Sequence, residues 1–327
     1  MRSQPAEWAL HGGVWTAFPW DAQEWGSALA AAQQEVAAFV RELSRWEPVH
    51  LLAMPAVADL AKSHIGEGVH HPVHYEDIPY GDIWLRDTGP LFVKAEVGRQ
   101  ALRFGWNGWG GKYLLAHDGQ VGAAIAQRTQ TPWTEHPLVV EGGALETDGQ
   151  GTFLTTERCL LGGDRNPDWT RSQVEAVLAE QLGAQRVHWL TGSLHNDHTD
   201  GHIDTLARFA APGLVLCAQG EADDPNQGTL VEVAKQLRAC PEFTVQTVPS
   251  PGTIAQNGRL LPASYLNFYI ANGAVLVPTY GSDRDGEAVA AIQGCFPERQ
   301  AIGLSAKAIL SGGGAFHCIT QQQPVIG

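Results

Sequence analysis

Residues 141–190 read EGGALETDGQGTFLTTERCLLGGDRNPDWTRSQVEAVLAEQLGAQRVHWL. Two pieces of strand-forming composition, 141–145 and 152–156, flank Thr147-Asp148-Gly149-Gln150-Gly151, which has the residues of a hairpin turn. Between 168 and 182 the apolar residues Val174, Val177, Leu178 and Leu182 recur at helical spacing, and Gly183 stands where a glycine closes a helix. Residues 186–190 predict a further strand. The order is strand, strand, helix, strand.

The same order recurs on both sides of this stretch. Downstream, strands at 205–209 and 214–218 join through Ala211-Pro212-Gly213 and precede a helix over 227–239 and a strand at 243–248. Strands at 266–270 and 274–277, a helix over 285–293 and a strand at 300–304 repeat it. Upstream, 91–93 and 101–104 precede a helix near 120–129 and a strand at 138–140. The last strand-like piece, around 316–320, has no helix after it, and the first helix, 24–45, has no complete hairpin before it. Joining the two ends completes a fifth unit. Five units of about 60–70 residues predict radial repetition, which protects the edges of every sheet. Paired strands before each helix fit hairpins better than the simple crossovers of an open α/β sheet. No proline-rich or low-complexity linker divides the chain, so residues 1–327 read as one domain.

Composition bounds the function. The chain has 327 residues, a net charge of −14 and a mean hydropathy of −0.15, with no apolar run long enough to cross a bilayer. The acidic balance disfavours a nucleic-acid partner, which needs a basic footprint, and suits steering of a small cation into an acidic cleft. The N-terminus lacks the basic and apolar regions of a signal peptide. Five cysteines (159, 217, 240, 295 and 318), with no CxxC pair, read as reduced thiols in a cytoplasmic protein.

The residues with chemistry fall at equivalent places in the units. Asp87 precedes the strand at 91–93, Glu141 opens its hairpin, His202 and Asp204 open theirs, and Cys318 follows Gly312-Gly313-Gly314-Ala315-Phe316-His317 in the last. Pseudo-rotation brings equivalent strand starts together near the axis. Each residue also has a plainer reading: Asp87 as a turn former, Glu141 as a hairpin-edge carboxylate, Trp84 as core. His317 reads as structural, because neighbours on a strand point to opposite faces. The stretch 195–204 holds three His and three Asp, so a divalent-metal hydrolase is an alternative.

Several of these segments resemble one family. Asp82-Ile83-Trp84-Leu85-Arg86-Asp87-Thr88-Gly89-Pro90, Asn107-Gly108-Trp109-Gly110-Gly111-Lys112, Glu141-Gly142-Gly143, Arg165-Asn166-Pro167, Asp200-Gly201-His202-Ile203-Asp204 and Gly312-Gly313-Gly314 through Cys318-Ile319-Thr320-Gln321-Gln322 resemble the agmatine deiminase/bacterial peptidylarginine deiminase family of the guanidine-modifying (pentein) superfamily. The resemblance implies an α/β fold, a five-bladed pseudo-symmetric α/β propeller of ββαβ units, in agreement with the repeat. It implies Cys318 as nucleophile, His202 as acid/base, Glu141 as the group holding His202, and Asp87 and Asp204 as the carboxylates gripping a guanidinium. Agmatine is the substrate it favours, with peptidyl-arginine or another guanidine as the alternative. Trp84, Trp106 and Trp109 are candidate pocket walls, and Asp197 or Asp200 a candidate acid for the far amine. His198 departs from the pattern: it stands four residues before His202, where some members carry an acid associated with amine recognition. No metal or organic cofactor is required, and the resemblance is consistent with a homo-oligomer.

Overall fold

The structure, a computed structural model, describes residues 2–326. The units found in the sequence are five small mixed sheets, each a hairpin whose second strand pairs in parallel with the strand after the helix. Blade one holds Leu91–Lys94, Arg99–Gly105, the helix Asp118–Arg128 and Trp133–Val139. Blade two holds Glu146–Thr147, Thr152–Thr156, the helix Arg171–Leu182 and Arg186–Leu190. Blade three holds Ala207–Ala211, Leu214–Gln219, the helix Gln227–Arg238 and Thr244–Pro249. Blade four holds Tyr269–Ile270, Ala274–Thr279, the helix Asp285–Cys295 and Gln300–Ser305.

Blade five is closed by the two ends of the chain. Gln321–Pro324 pairs antiparallel with His11–Ala17, with Trp15 opposite Gln321, and His11–Ala17 pairs in parallel with Val49–Leu52 after the helix Leu29–Leu43. This blade adds a fourth strand, Val73–Glu76, absent from the repeat. Helix Leu29–Leu43 buries Val36, Phe39, Val40 and Leu43 completely; each contributes about 1.5–3 kcal/mol of transfer free energy. Phe39 stacks on Phe316 with ring centroids 4.6 Å apart, which ties this helix to the turn carrying Cys318. No helix among the described residues is long and apolar enough to cross a membrane.

The inner ends of the blades differ from the sequence reading. Residues 142–144 form a tight helical turn rather than a strand, and 316–320 form a turn rather than the strand itself. The freed backbone groups are satisfied by side chains, as where the Gly143 amide donates to Asp87 at 2.9 Å.

A buried ionic network occupies this region. Glu7 lies 3.1 Å from both Arg86 and Arg208 and 2.8 Å from His317, while Arg208 donates to Glu146 at 2.9 Å. Arg208 is wholly buried and also donates to the carbonyls of Leu266 and Phe268. Charges this deep are tolerated only when paired and hydrogen-bonded on all sides, and here one network joins the N-terminal segment to blades one to four and the turn before blade five.

Candidate active site

Each blade contributes a polar group just before its first strand. Cys318 lies three residues before Gln321–Pro324, at the floor of a cavity of about 240 Å³. Its backbone is held by blade four: the Cys318 and Ala315 amides donate to Asn267 Oδ1 at 3.2 and 3.0 Å. The same side chain donates from Nδ2 to Cys318 Sγ at 3.1 Å. Gly314 permits this close turn, since a Cβ there would stand 2.8 Å from the Cys318 Cβ.

Facing the thiol are the groups of blades one to three. Asp204 Oδ2 is 3.6 Å from Cys318 Sγ. His202, wholly buried, has Nδ1 3.8 Å from Asp87 and Nε2 3.7 Å from Glu141. These separations are close enough for electrostatic attraction and too long for hydrogen bonds. Among the described residues, neither ring nitrogen of His202, nor Asp204 Oδ1, has a hydrogen-bond partner. Unpaired buried polar atoms gathered this close to a thiol leave pairing for a polar ligand to complete. Gly143 makes the approach possible, because a Cβ there would lie 2.5 Å from His202 Nδ1.

The electrostatics follow from this packing. Burial opposes a charge on His202, but Asp87, Cys159 and Glu141 outweigh it and hold the imidazole protonated well above its ordinary range. Burial, reinforced by Asp204 and Asp87, pushes the Cys318 thiol well up, against weaker help from the Ala315 amide and Asn267. Burial and the other carboxylates raise Asp87, whereas Asp204 is lowered despite its burial by His317, His202 and Arg208. Glu141 is lowered despite its burial by His202 and Arg165, the latter donating at 2.8 Å. The resting site therefore pairs a neutral thiol with an imidazolium and a surplus of carboxylates. It is built to accept a cation.

The structure thus brings together Cys318, His202, Glu141, Asp87 and Asp204. Trp84 and Trp109 line the cavity, Trp84 donating to Asp82 at 2.7 Å and Trp109 to Asp87 at 2.8 Å. Asp200 is placed differently. Its carboxylate is engaged by Arg165 at 2.8 Å and by Lys112, outside the cavity lining, so it braces the loop instead of facing the pocket. His317 keeps the structural role expected of it, for a different reason. Strand alternation does not apply in a turn, and its Nδ1 lies 2.7 Å from Asp204 while Nε2 reaches Glu7. It positions the carboxylate that faces Cys318.

The metal-ligand reading of 195–204 does not match the geometry. His195 is exposed, Asp197 caps its own loop at the Thr199 and Gly201 amides, and His198 sits between Tyr113 at 2.9 Å and Arg259 at 2.6 Å. Among the described residues the convergent ligand group is instead Glu141, Cys159 and His202. Of the groups touching the site, Asn267, Cys159 and Glu7 were not found from sequence. Asn267 was findable, because it is the polar residue two places before the first strand of blade four, the only unit without an assigned contributor.

Comparison with known proteins agrees with this arrangement. The sequence profile of the Porphyromonas-type peptidyl-arginine deiminase family matches residues 3–324. The agmatine deiminase of Stutzerimonas stutzeri (strain A1501) is 35% identical over 351 residues, covering 98% of this chain and 95% of its own. Among solved structures, agmatine deiminase of Enterococcus faecalis superposes with a TM-score of 0.93 at 26% identity, covering 99% of this chain and 96% of that one. A cysteine-to-serine agmatine deiminase of C. jejuni with substrate bound superposes with a TM-score of 0.92 at 26% identity and the same coverage. Ordered motifs, a five-bladed α/β propeller and near-complete alignment lead to one assignment: the chain belongs to the agmatine deiminase/Porphyromonas-type peptidyl-arginine deiminase family of pentein enzymes.

Proposed function

We propose that this protein, acting as one catalytic domain over residues 1–327, hydrolyses agmatine to N-carbamoylputrescine and ammonia. The observation that carries the reading is the meeting of a thiol and Asp87, both lining one cavity, with Asp204 3.6 Å behind the thiol and a protonated His202 3.8 Å from Asp87. A guanidinium stays charged at neutral pH and its carbon is a poor electrophile. Asp87 and Asp204 accept its N–H groups in forked geometry and fix the carbon beside Cys318. The bound cation offsets the carboxylate charges that keep the thiol protonated, so substrate binding itself favours the thiolate.

The thiolate attacks the central carbon and forms a C–S bond, giving a tetrahedral adduct. His202 transfers its proton to the departing nitrogen as the C–N bond breaks, so ammonia leaves and an S-alkylthiouronium remains. His202 then removes a proton from water as oxygen adds to the same carbon. Collapse breaks the C–S bond, releases the ureido product and regenerates Cys318. Glu141, fixed by Arg165, keeps the imidazole oriented and basic enough to take that proton. Nothing in the sequence of steps calls for a metal or an organic cofactor.

The test is ammonia release from agmatine, free arginine and a C-terminal-arginine peptide by wild type and Cys318→Ala, with mass analysis after acid quench. The reading expects agmatine to be the best substrate, no turnover by the variant, and a covalent adduct on Cys318 alone. Turnover by Cys318→Ala defeats it.

A further inference from the structure

The guanidinium end of the cavity uses Asp87 and Asp204, which leaves open what receives the other end of the substrate. The charged side chains lining the remainder of the cavity are Glu24, Asp82 and Arg259. Asp82 is already committed. It accepts from the indoles of Trp25 at 2.9 Å and Trp84 at 2.7 Å and from the Ile83 amide at 2.8 Å. Arg259, on the exposed hairpin Ala255–Gln256/Arg259–Leu260, donates to His198 and has no carboxylate partner among the described residues. Glu24 is exposed, lines the cavity, and has neither a hydrogen-bond nor an ion-pair partner among the described residues. Among the described residues it is the one carboxylate lining the cavity with all its acceptor capacity free.

Its surroundings suit an ammonium group. Trp25, the next residue in the chain, stacks with Trp84 at a centroid separation of 6.0 Å, and both rings line the cavity. An alkyl chain passing along these rings loses its hydration to apolar surface, and an ammonium beside them gains attraction to the ring faces. The repulsion between Glu24 and Asp82 is relieved when a cation lies near both. Lys112 and Arg165 neutralise Asp200, and His198 is kept neutral by burial together with Arg259 and Lys112. Across the Tyr113–His198 wall the free charge is therefore positive, and an amine is repelled from that side.

We propose that Glu24 is the specificity-determining residue that recognises the far ammonium of the substrate, with the Trp25–Trp84 wall guiding the alkyl chain to it and Arg259 making the opposite side unfavourable for an amine. The assignment rests on the deiminase reading and extends it to the distal end. Long, flexible, cationic guanidines are the class accepted, and a distal carboxylate is disfavoured by Glu24 itself.

The experiment compares agmatine with n-butylguanidine, which has the same alkyl chain without the amine, using wild type, Glu24→Gln and Arg259→Gln. Glu24 is exposed and without partners, so its replacement leaves the thermal transition unchanged. For Glu24→Gln the expected result is a rise of about fivefold in KM for agmatine with kcat held, shrinking as salt is added. KM for n-butylguanidine stays where it was. Arg259→Gln lowers KM for agmatine. An unchanged agmatine KM in Glu24→Gln, or an equal rise for both substrates, overturns the proposal. If wild type releases ammonia from neither compound, the deiminase reading fails, and the assignment of Glu24 falls with it. Turnover of both by wild type isolates the Glu24 question.

Discussion

Replacing Asn267 by Asp separates what the turn around Cys318 needs from what the thiol needs. Asn267 Oδ1 accepts the Ala315 and Cys318 amides, and Nδ2 donates to Sγ at 3.1 Å. Aspartate has the same shape. It retains an oxygen for the two amides and puts a second oxygen where the donor stood. The thiolate then loses one hydrogen bond, worth about 1.5–3 kcal/mol when the acceptor is charged, or roughly 10–150-fold in rate. An ionised carboxylate adds repulsion at a thiol already raised by burial, Asp204 and Asp87. The expected result for Asn267→Asp is a loss of kcat/KM for ammonia release of at least about tenfold. Alkylation of the Cys318 peptide by iodoacetamide, followed by mass spectrometry, should shift to higher pH while the fold is retained by circular dichroism. An alkylation profile superimposable on wild type, with kcat/KM within about threefold, refutes the claim that Asn267 tunes the nucleophile.

Asp204→Asn should drive two readouts in opposite directions. Removing a carboxylate 3.6 Å from Sγ lowers the thiol pKa, so alkylation at pH 8 accelerates, while guanidine turnover falls by more than about 100-fold because the substrate grip is lost; a fall in both would contradict the electrostatic account. Asp118 provides a stability test away from the chemistry. Its carboxyl, buried, accepts the Gly81 and Asp82 amides on Oδ1, leaves Oδ2 without a partner, and is pushed by burial from 3.8 to about 7. A carboxyl with a raised folded pKa holds its proton longer when folded, so folding loses free energy as pH rises from 3.8 to about 7. Asp118→Asn mimics the protonated form and should stabilise by about 1–3 kcal/mol at pH 8, less than the full shift implies because the new amide N–H is unpaired. The gain should shrink below pH 7 and vanish near pH 4 in chemical denaturation; a pH-independent difference would rule out this origin.

The parts legible in the sequence were those carried by short-range pattern. Val174, Val177, Leu178 and Leu182, closed by Gly183, specify a helix without reference to anything distant, and Gly183 does adopt the left-handed conformation at φ 77°. The repeated strand–strand–helix–strand order implied blades, and the incomplete units at the two ends implied the closure seen between Trp15 and Gln321. Cys318, His202, Glu141, Asp87 and Asp204 could be singled out because each stands at an equivalent place in its unit and in a segment that resembles the family.

Tertiary structure alone decided how those groups are tuned. Contacts such as Asn267 with Cys318, His317 with Asp204, and Glu7 with Arg208 join residues from separate blades, and no local periodicity encodes them. The same holds for the residues expected to act differently. Asp200 carries the right charge for an amine, yet Arg165 and Lys112 hold it out of the cavity, while Glu24, which is unremarkable in its own short helix, lines the mouth. His317 is structural, as its sequence reading has it, but through Asp204 and Glu7 in a turn rather than through strand alternation. What the residues by themselves determined was which elements form and which functional groups are available. The closure of five blades determined which of those groups are buried together. That grouping sets the protonation of His202, where neighbouring anions overcome burial, and of Cys318, where they reinforce it, since the energy of a charge depends on what surrounds it in space.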